Sequence, residues 1–305
     1  MAISNSPRAR AGIIAALASL AVLIPTSSAS GQTLAGPWAP FDGCPVVAPE
    51  MLAVPPLDGY GVGCVASRSP SGSFKIGDTT LRTGVTRLQF GLAGATAEDP
   101  TLGRIVPATG GRTLKADPVV VPGGVLGLMC PSNVPLVSGL CQQVVDLGLN
   151  RITAKVELAG PPSGFNALGA LVPGEPVLTL PVKIHLRNPL LGKKCYIGSN
   201  AKPIVLRPRT ITAGTPSGAS DPNGFQVFFI TIDGSVLADD SFAVPGANGC
   251  GPLGLASGAI NQRQQLPSPA GANELVLEET TASTALSQRG GQVLSDAWHA
   301  AVTAP

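Results

Sequence analysis

Asn150-Arg-Ile-Thr-Ala-Lys-Val-Glu-Leu158 alternates without a break, with Ile152, Ala154, Val156 and Leu158 on one side and Arg151, Thr153, Lys155 and Glu157 on the other. Successive side chains of a strand point to opposite faces, so this period of two predicts a strand with one face buried. The pattern recurs outward from there. Val182, Ile184 and Leu186 oppose Lys183, His185 and Arg187, while Leu88, Phe90 and Leu92 interleave with Arg87 and Gln89. Gln226 to Ile232 is apolar on both faces, which suits a central strand. Pro and Gly clusters punctuate these runs. Such spacing predicts a mainly β fold, an antiparallel β-sandwich or barrel.

Helical signals are few. Pro252 to Gln264 reads as one short helix with Leu253, Leu255 and Ile260 as its apolar face. Val293, Leu294, Ala297, Trp298 and Ala301 recur at helical spacing and predict a short amphipathic helix near the C-terminus. Glu274 to Leu277 reads as a final strand. The chain divides into an export signal (1–30), an irregular Pro/Gly-rich lead-in (31–60), a single β domain (61–280) and a tail carrying the amphipathic helix (281–305). The signal rests on Arg8 and Arg10, the apolar run Ala11 to Ile24, the breaker Pro25 and the small residues Ser27 to Ser30. That apolar run is shorter than the ~20 residues a spanning helix needs.

Removing the signal changes the charge. Twenty basic residues less Arg8 and Arg10 leave eighteen, equal to the eighteen acids, so the remainder is formally neutral. Nucleic-acid binding rests on a basic excess, and none exists overall. The six cysteines, Cys44, Cys64, Cys130, Cys141, Cys195 and Cys250, all follow the signal. An even count in an exported chain reads as three disulfides, with nearest neighbours the favoured pairing among the possible connectivities. No pair has C-x-x-C spacing and there are two histidines, which argues against a metal site. No cofactor is implied.

Leu180-Pro-Val-Lys-Ile-His-Leu-Arg-Asn-Pro-Leu-Leu-Gly-Lys-Lys-Cys-Tyr-Ile-Gly-Ser-Asn200, with Pro203-Ile-Val-Leu206, resembles a block of a family of secreted proteins of high-GC Gram-positive bacteria. Phe242-Ala-Val-Pro-Gly-Ala-Asn-Gly-Cys250 and Leu266-Pro-Ser-Pro-Ala-Gly-Ala-Asn273 resemble its later blocks, so the likeness covers residues 180–277. The resemblance implies secretion and a shared fold. It carries no activity and no site residue across.

Catalytic chemistry finds little support. Nucleophilic catalysis needs a base beside Ser, Cys or Thr, and only His185 and His299 could supply imidazole. No G-x-S-x-G occurs, and neither G-x-x-x-x-G-K nor H-E-x-x-H is present. Asp239 and Asp240 are adjacent, so in a strand they point apart and read as solvated acids rather than a converging pair. Asp221-Pro-Asn-Gly224 is turn chemistry.

Charge is uneven. Between Glu175 and Asp221 there is no acid, while Lys183, Arg187, Lys193, Lys194, Lys202, Arg207 and Arg209 are basic. If their faces coincide, Lys183, Arg187, Lys193, Lys194, Arg207 and Arg209 would meet an anionic wall polymer, a lipid head-group or an acidic protein. Asp233, Asp239, Asp240, Glu274, Glu278 and Glu279 are the acids that could neutralise them. The expected function is therefore a secreted, non-catalytic binding or cell-envelope-associated protein. A carrier that holds an apolar small molecule inside the β shell is the alternative, marked by an enclosed apolar cavity. An extracellular hydrolase is the third reading, and it needs converging carboxylates or a serine near His185.

Overall fold

The computed structural model describes Met1 and residues 33–56, 61–94, 103–129 and 149–303. Residues 2–32, which hold the expected export signal, and Cys130 and Cys141, the expected third pair, fall outside the described residues. The fold is mainly β, built on antiparallel sheets with short helices toward the C-terminus and stapled by disulfides.

Two long strands, Val227–Asp239 and Glu274–Ser287, pair with each other and form the spine of a ten-stranded sheet. Each outer neighbour of this spine is two short strands in tandem. Arg209–Thr212 and Thr215–Ser220 follow one side, and Val62–Ser69 and Ser71–Ile76 follow the other. Pro70 stands at the second break, where its missing N–H suits an interrupted ladder. Thr86–Ala93 then pairs with Val62–Ser69 and carries Arg104–Pro107 and Leu114–Ala116 on its far edge. Of the run Gln226 to Ile232, residues from Val227 onward thus lie in a strand flanked on both sides, as its two-faced apolar pattern predicts.

A crease crosses this sheet at those breaks. Gly234 (φ +78°) and Glu279 (φ +48°) sit where the pairing of the long strands slips, first by one extra residue on one strand and then by one on the other. An extra residue in one strand bends it and sharpens its twist. Each extra residue also offsets the side-chain alternation, so Ile230 and Ile232 share a face with Ser235 and Leu237, and Leu275 and Leu277 with Thr280, Ala282, Thr284 and Leu286.

A six-stranded sheet covers the concave face. Leu180–Arg187 is its centre, between Thr153–Leu158 on one side and Tyr196–Ile197 and Ile204–Leu206 on the other. Val182, Ile184 and Leu186 are buried and meet Val65, Phe90 and Leu92 of the large sheet in one core cluster. Both alternations opening the sequence reading hold.

Part of the other face of the large sheet is buried as well. The lead-in places Trp38, Phe41 and Met51 against Val62, Cys64, Val227, Phe229 and Ala285, joined by Leu294 and Ala297 of the helix Gly290–Ala300. Trp38 is fully buried, meets Phe229 edge-to-face at 5.0 Å and donates through Nε1 to Asp221 at 2.7 Å. The Cys44–Cys64 disulfide ties the lead-in to the sheet, and Cys195–Cys250 ties the small sheet to the segment before the helix Leu255–Arg263.

Two readings need correction. Leu253 and Leu255 do not form an apolar face, for they are 99% and 77% exposed, and only Ile260 of that helix is buried. Polar hooks hold it instead: Asn261 accepts from Ala247 N and donates to its carbonyl, and Ser257 Oγ accepts from Cys250 N. The strand that starts at Glu274 does not end at Leu277 but runs to Ser287, past the boundary read at 280, and it is not the final one, since Val302–Thr303 follows and pairs with Thr33–Leu34.

Candidate functional site: an apolar cavity

Between the creased sheet and its cover lies a cavity of about 280 Å³. Its floor is the concave face. Thr284, Val65 and Phe90 stand in register across three strands, and Ala282, Ser67 and Leu88 form the next row. Its roof is the segment before Leu180–Arg187, through Phe165, Ala167, Val177 and Leu178, with Leu206 and Pro208 beside it.

The lining is almost entirely aliphatic and aromatic. Its polar members are hydroxyls: Ser235, Thr280, Ser69 and Thr86 in a line at the crease, and Ser67 and Thr284 on the floor. Ser69 and Thr280 satisfy each other at 2.8 Å. Among the described residues no charged side chain lines the cavity. Val65, Phe90, Phe165, Leu178 and Leu275 are buried, whereas Ser67, Leu88, Ile230, Thr284 and Leu286 are half-buried and Leu171 is 38% exposed. The gradient defines a deep end and a mouth. This space is about twice the ~150 Å³ that admits benzene.

The residues singled out for an anionic partner scatter into three groups. Lys183 and Arg187 share the outer face of Leu180–Arg187, with His185 between them. Lys183 lies 4.9 Å from the Tyr196 ring centroid and donates to Asn200 Oδ1, while Arg187 reaches Glu157 at 3.5 Å. Lys193 and Lys194 are exposed in the loop before Cys195. Arg207 and Arg209 occupy the crossing between the sheets, where Arg209 pairs with Asp240 at 2.7 Å. Of the acids proposed to neutralise them, Asp240 does so directly.

His185 has an acid within reach, since its Nδ1 is 3.4 Å from Glu157 Oε1. Yet Arg187 Nε donates to that same Nδ1, which leaves the ring proton on Nε2. A catalytic triad needs the reverse, a carboxylate accepting from Nδ1–H and a hydroxyl at Nε2. Among the described residues no Ser, Thr or Cys is hydrogen-bonded to His185; its ring stacks on Tyr196 at 4.4 Å. Burial, then Glu157, push the Tyr196 phenol above its ordinary pKa, with Arg187 opposing. His299 Nδ1 is 2.7 Å from the carbonyl of Ser295 on its own helix.

The carboxylate pair points apart, as read. One part of that reading fails: Asp239 is not solvated but fully buried, accepting from Arg207 N, Ser241 N and Ser241 Oγ. Asp221 is likewise buried, accepting from Trp38 and from the Asn223 and Phe225 amides within its turn. Among the described residues no His/Cys/Asp/Glu group could hold a metal ion, and no helix is long and apolar enough to cross a membrane.

Comparison with protein-family models, curated proteins and solved structures returns no match. The cavity residues escaped individual reading because each half of a long strand keeps its own parity. Gly234, a glycine inside a strand, is the local sign of the switch. Glu279 carries no such sign.

Proposed function

We propose that the protein is an exported, non-catalytic carrier of an apolar small molecule, held between the creased sheet and its cover. The cavity carries this reading. Small-molecule sites are concave and largely apolar, with a few polar groups that fix orientation. Here those groups are the crease hydroxyls, Ser235 and Thr86 beside the paired Ser69 and Thr280. A lining without charge selects an uncharged body, such as an acyl chain or small ring system, since burying an unpaired charge there would be costly. Stapling by disulfides accords with an oxidising compartment outside the cytoplasm.

Native mass spectrometry of the protein purified from a culture supernatant tests the reading. The expected result is a mass excess that leaves on denaturation, together with saturable uptake of the neutral probe N-phenyl-1-naphthylamine. A bare mass with no probe uptake overturns it.

A further inference from the structure

The opposite face of the large sheet carries a second concavity, a polar cleft of about 500 Å³. Its floor is a row of like charges. Arg68 pairs in register with Arg87, and Arg87 pairs in register with Lys115, so three cations stand side by side on adjacent strands. With strands ~4.8 Å apart, the row spans about 10 Å. Like charges directly opposite one another destabilise a sheet. The sheet nevertheless builds this row, its three side chains exposed, along the floor of the cleft.

No ion pair relieves it. Among the described residues Arg68, Arg87 and Lys115 have no salt-bridge partner, and Asp42 is the one acid lining the cleft. Asp42 is already committed: it pairs with Arg112 at 2.9 Å and accepts from Gln89 Nε2 at 2.7 Å. Thr281 extends the row beyond Arg68, and the lead-in residues Ala39 and Pro40 contribute to the lining.

We infer that this cleft is a binding site for a polyvalent phosphoryl anion. Guanidinium groups present planar forks that match phosphate oxygens bidentately, and two adjacent forks plus an ammonium suit more than one negative charge. A single carboxylate would leave most of the row unneutralised. The concavity favours a discrete phosphate-bearing molecule over a flat bilayer. The site lies on the far face of the sheet from the apolar cavity and stands independently of it.

Isothermal titration at low ionic strength tests the inference with inorganic pyrophosphate, inorganic phosphate, sodium chloride matched in ionic strength, and phosphatidylglycerol vesicles as separate titrants. Pyrophosphate is expected to bind saturably and more tightly than phosphate. Arg87→Gln and Lys115→Gln should each weaken it tenfold or more while leaving N-phenyl-1-naphthylamine uptake unchanged. In phosphate-free, low-salt buffer Arg87→Gln should melt at or above the parent temperature, because repulsion in the row is relieved. Pyrophosphate affinity unchanged by Arg87→Gln, an equal response to matched chloride, or binding of vesicles alone would each overturn the site.

Discussion

Ala282→Phe is the perturbation that separates a real cavity from an accident of packing. Ala282 lies mid-floor, in register with Ile232 on one side and Ser67 on the other, with its methyl toward the space. In a close-packed core, adding a benzyl group's bulk forces neighbours off their rotamers and costs about 1–3 kcal/mol. Here about 280 Å³ is open, and a phenyl ring takes roughly half of it by comparison with the ~150 Å³ benzene site. Fully burying such a ring contributes about 1.5–3 kcal/mol, and at this half-buried position roughly half of that survives. The expected stability change is thus a gain of about 1 kcal/mol, or ~2–4 °C in Tm. Affinity for N-phenyl-1-naphthylamine should fall at least tenfold, since ring and probe compete for one space. Urea unfolding and a fluorescence titration on the same preparation read both quantities. A loss of 1–3 kcal/mol would mean the space is not there, and unaltered probe affinity would mean the probe binds elsewhere.

Trp38→Phe deletes the pyrrole ring together with its N–H donor to buried Asp221, and should cost at least the unmade bond's about 1–3 kcal/mol in urea unfolding; a change under half a kcal/mol refutes that bond's importance. Replacing Cys44 and Cys64 by Ser, which opens a 20-residue separation, should cost about 3 kcal/mol, and replacing Cys195 and Cys250, separated by 55, about 4 kcal/mol. Equal losses, or the reverse order, would count against chain entropy as the cause. Tyr196 has a raised folded pKa, so its contribution is intact below the unfolded phenol's value near ~10 and lost as pH rises through the folded one. Tyr196→Phe should flatten the alkaline fall in stability, and an unchanged slope above that pH would show that other groups cause it.

The class of fold was legible because burial imposes alternation on every half-exposed strand, and Ile152, Ala154, Val182, Ile184 and Leu186 are buried where that rule puts them. The turn at Asp221 was legible from local chemistry; sequence could not select the cysteine pairing, though Cys44–Cys64 and Cys195–Cys250 are two of the favoured nearest-neighbour pairs. The helix at Leu255 was legible in existence but not in orientation, because Asn261 and Ser257 fix it by hydrogen bonds that leave no apolar period. The lead-in looked irregular, yet Trp38 and Phe41 close one face of the sheet, a role set by partners almost two hundred residues away. The row Arg68, Arg87 and Lys115 was illegible for the same reason. Each cation is unremarkable in its own segment, and only cross-strand register brings the three together. Sequence reading favoured the denser run from Lys183 to Arg209, whose members lie on a strand, a loop and the crossing between the sheets.

The crease links these observations and yields the most exacting prediction. The long strands each carry one extra residue, at Gly234 and Glu279, and the two insertions offset one another within a few rungs of the ladder. Pairing before and after them is regular, so they are not needed to join the strands. Their physical consequence is a bend, and the bend gives the cavity its concave floor and its line of hydroxyls. Deleting Gly234 and Glu279 together should therefore preserve the pairing of Ile232 with Ala282 and of Leu237 with Leu277, because both strands shorten equally. Parity is also kept: Ile232 and Ser235 would face the same side two residues apart instead of three. The double deletion should fold cooperatively with the parent's β content by circular dichroism, yet lose uptake of the apolar probe. Either single deletion leaves one bulge uncompensated, which displaces every later rung by one residue and turns half a strand's apolar set toward the wrong face. Single deletions should accordingly be less stable than the double. If the double deletion still took up the probe with parental affinity, the cavity would owe its shape to the roof and not to the crease.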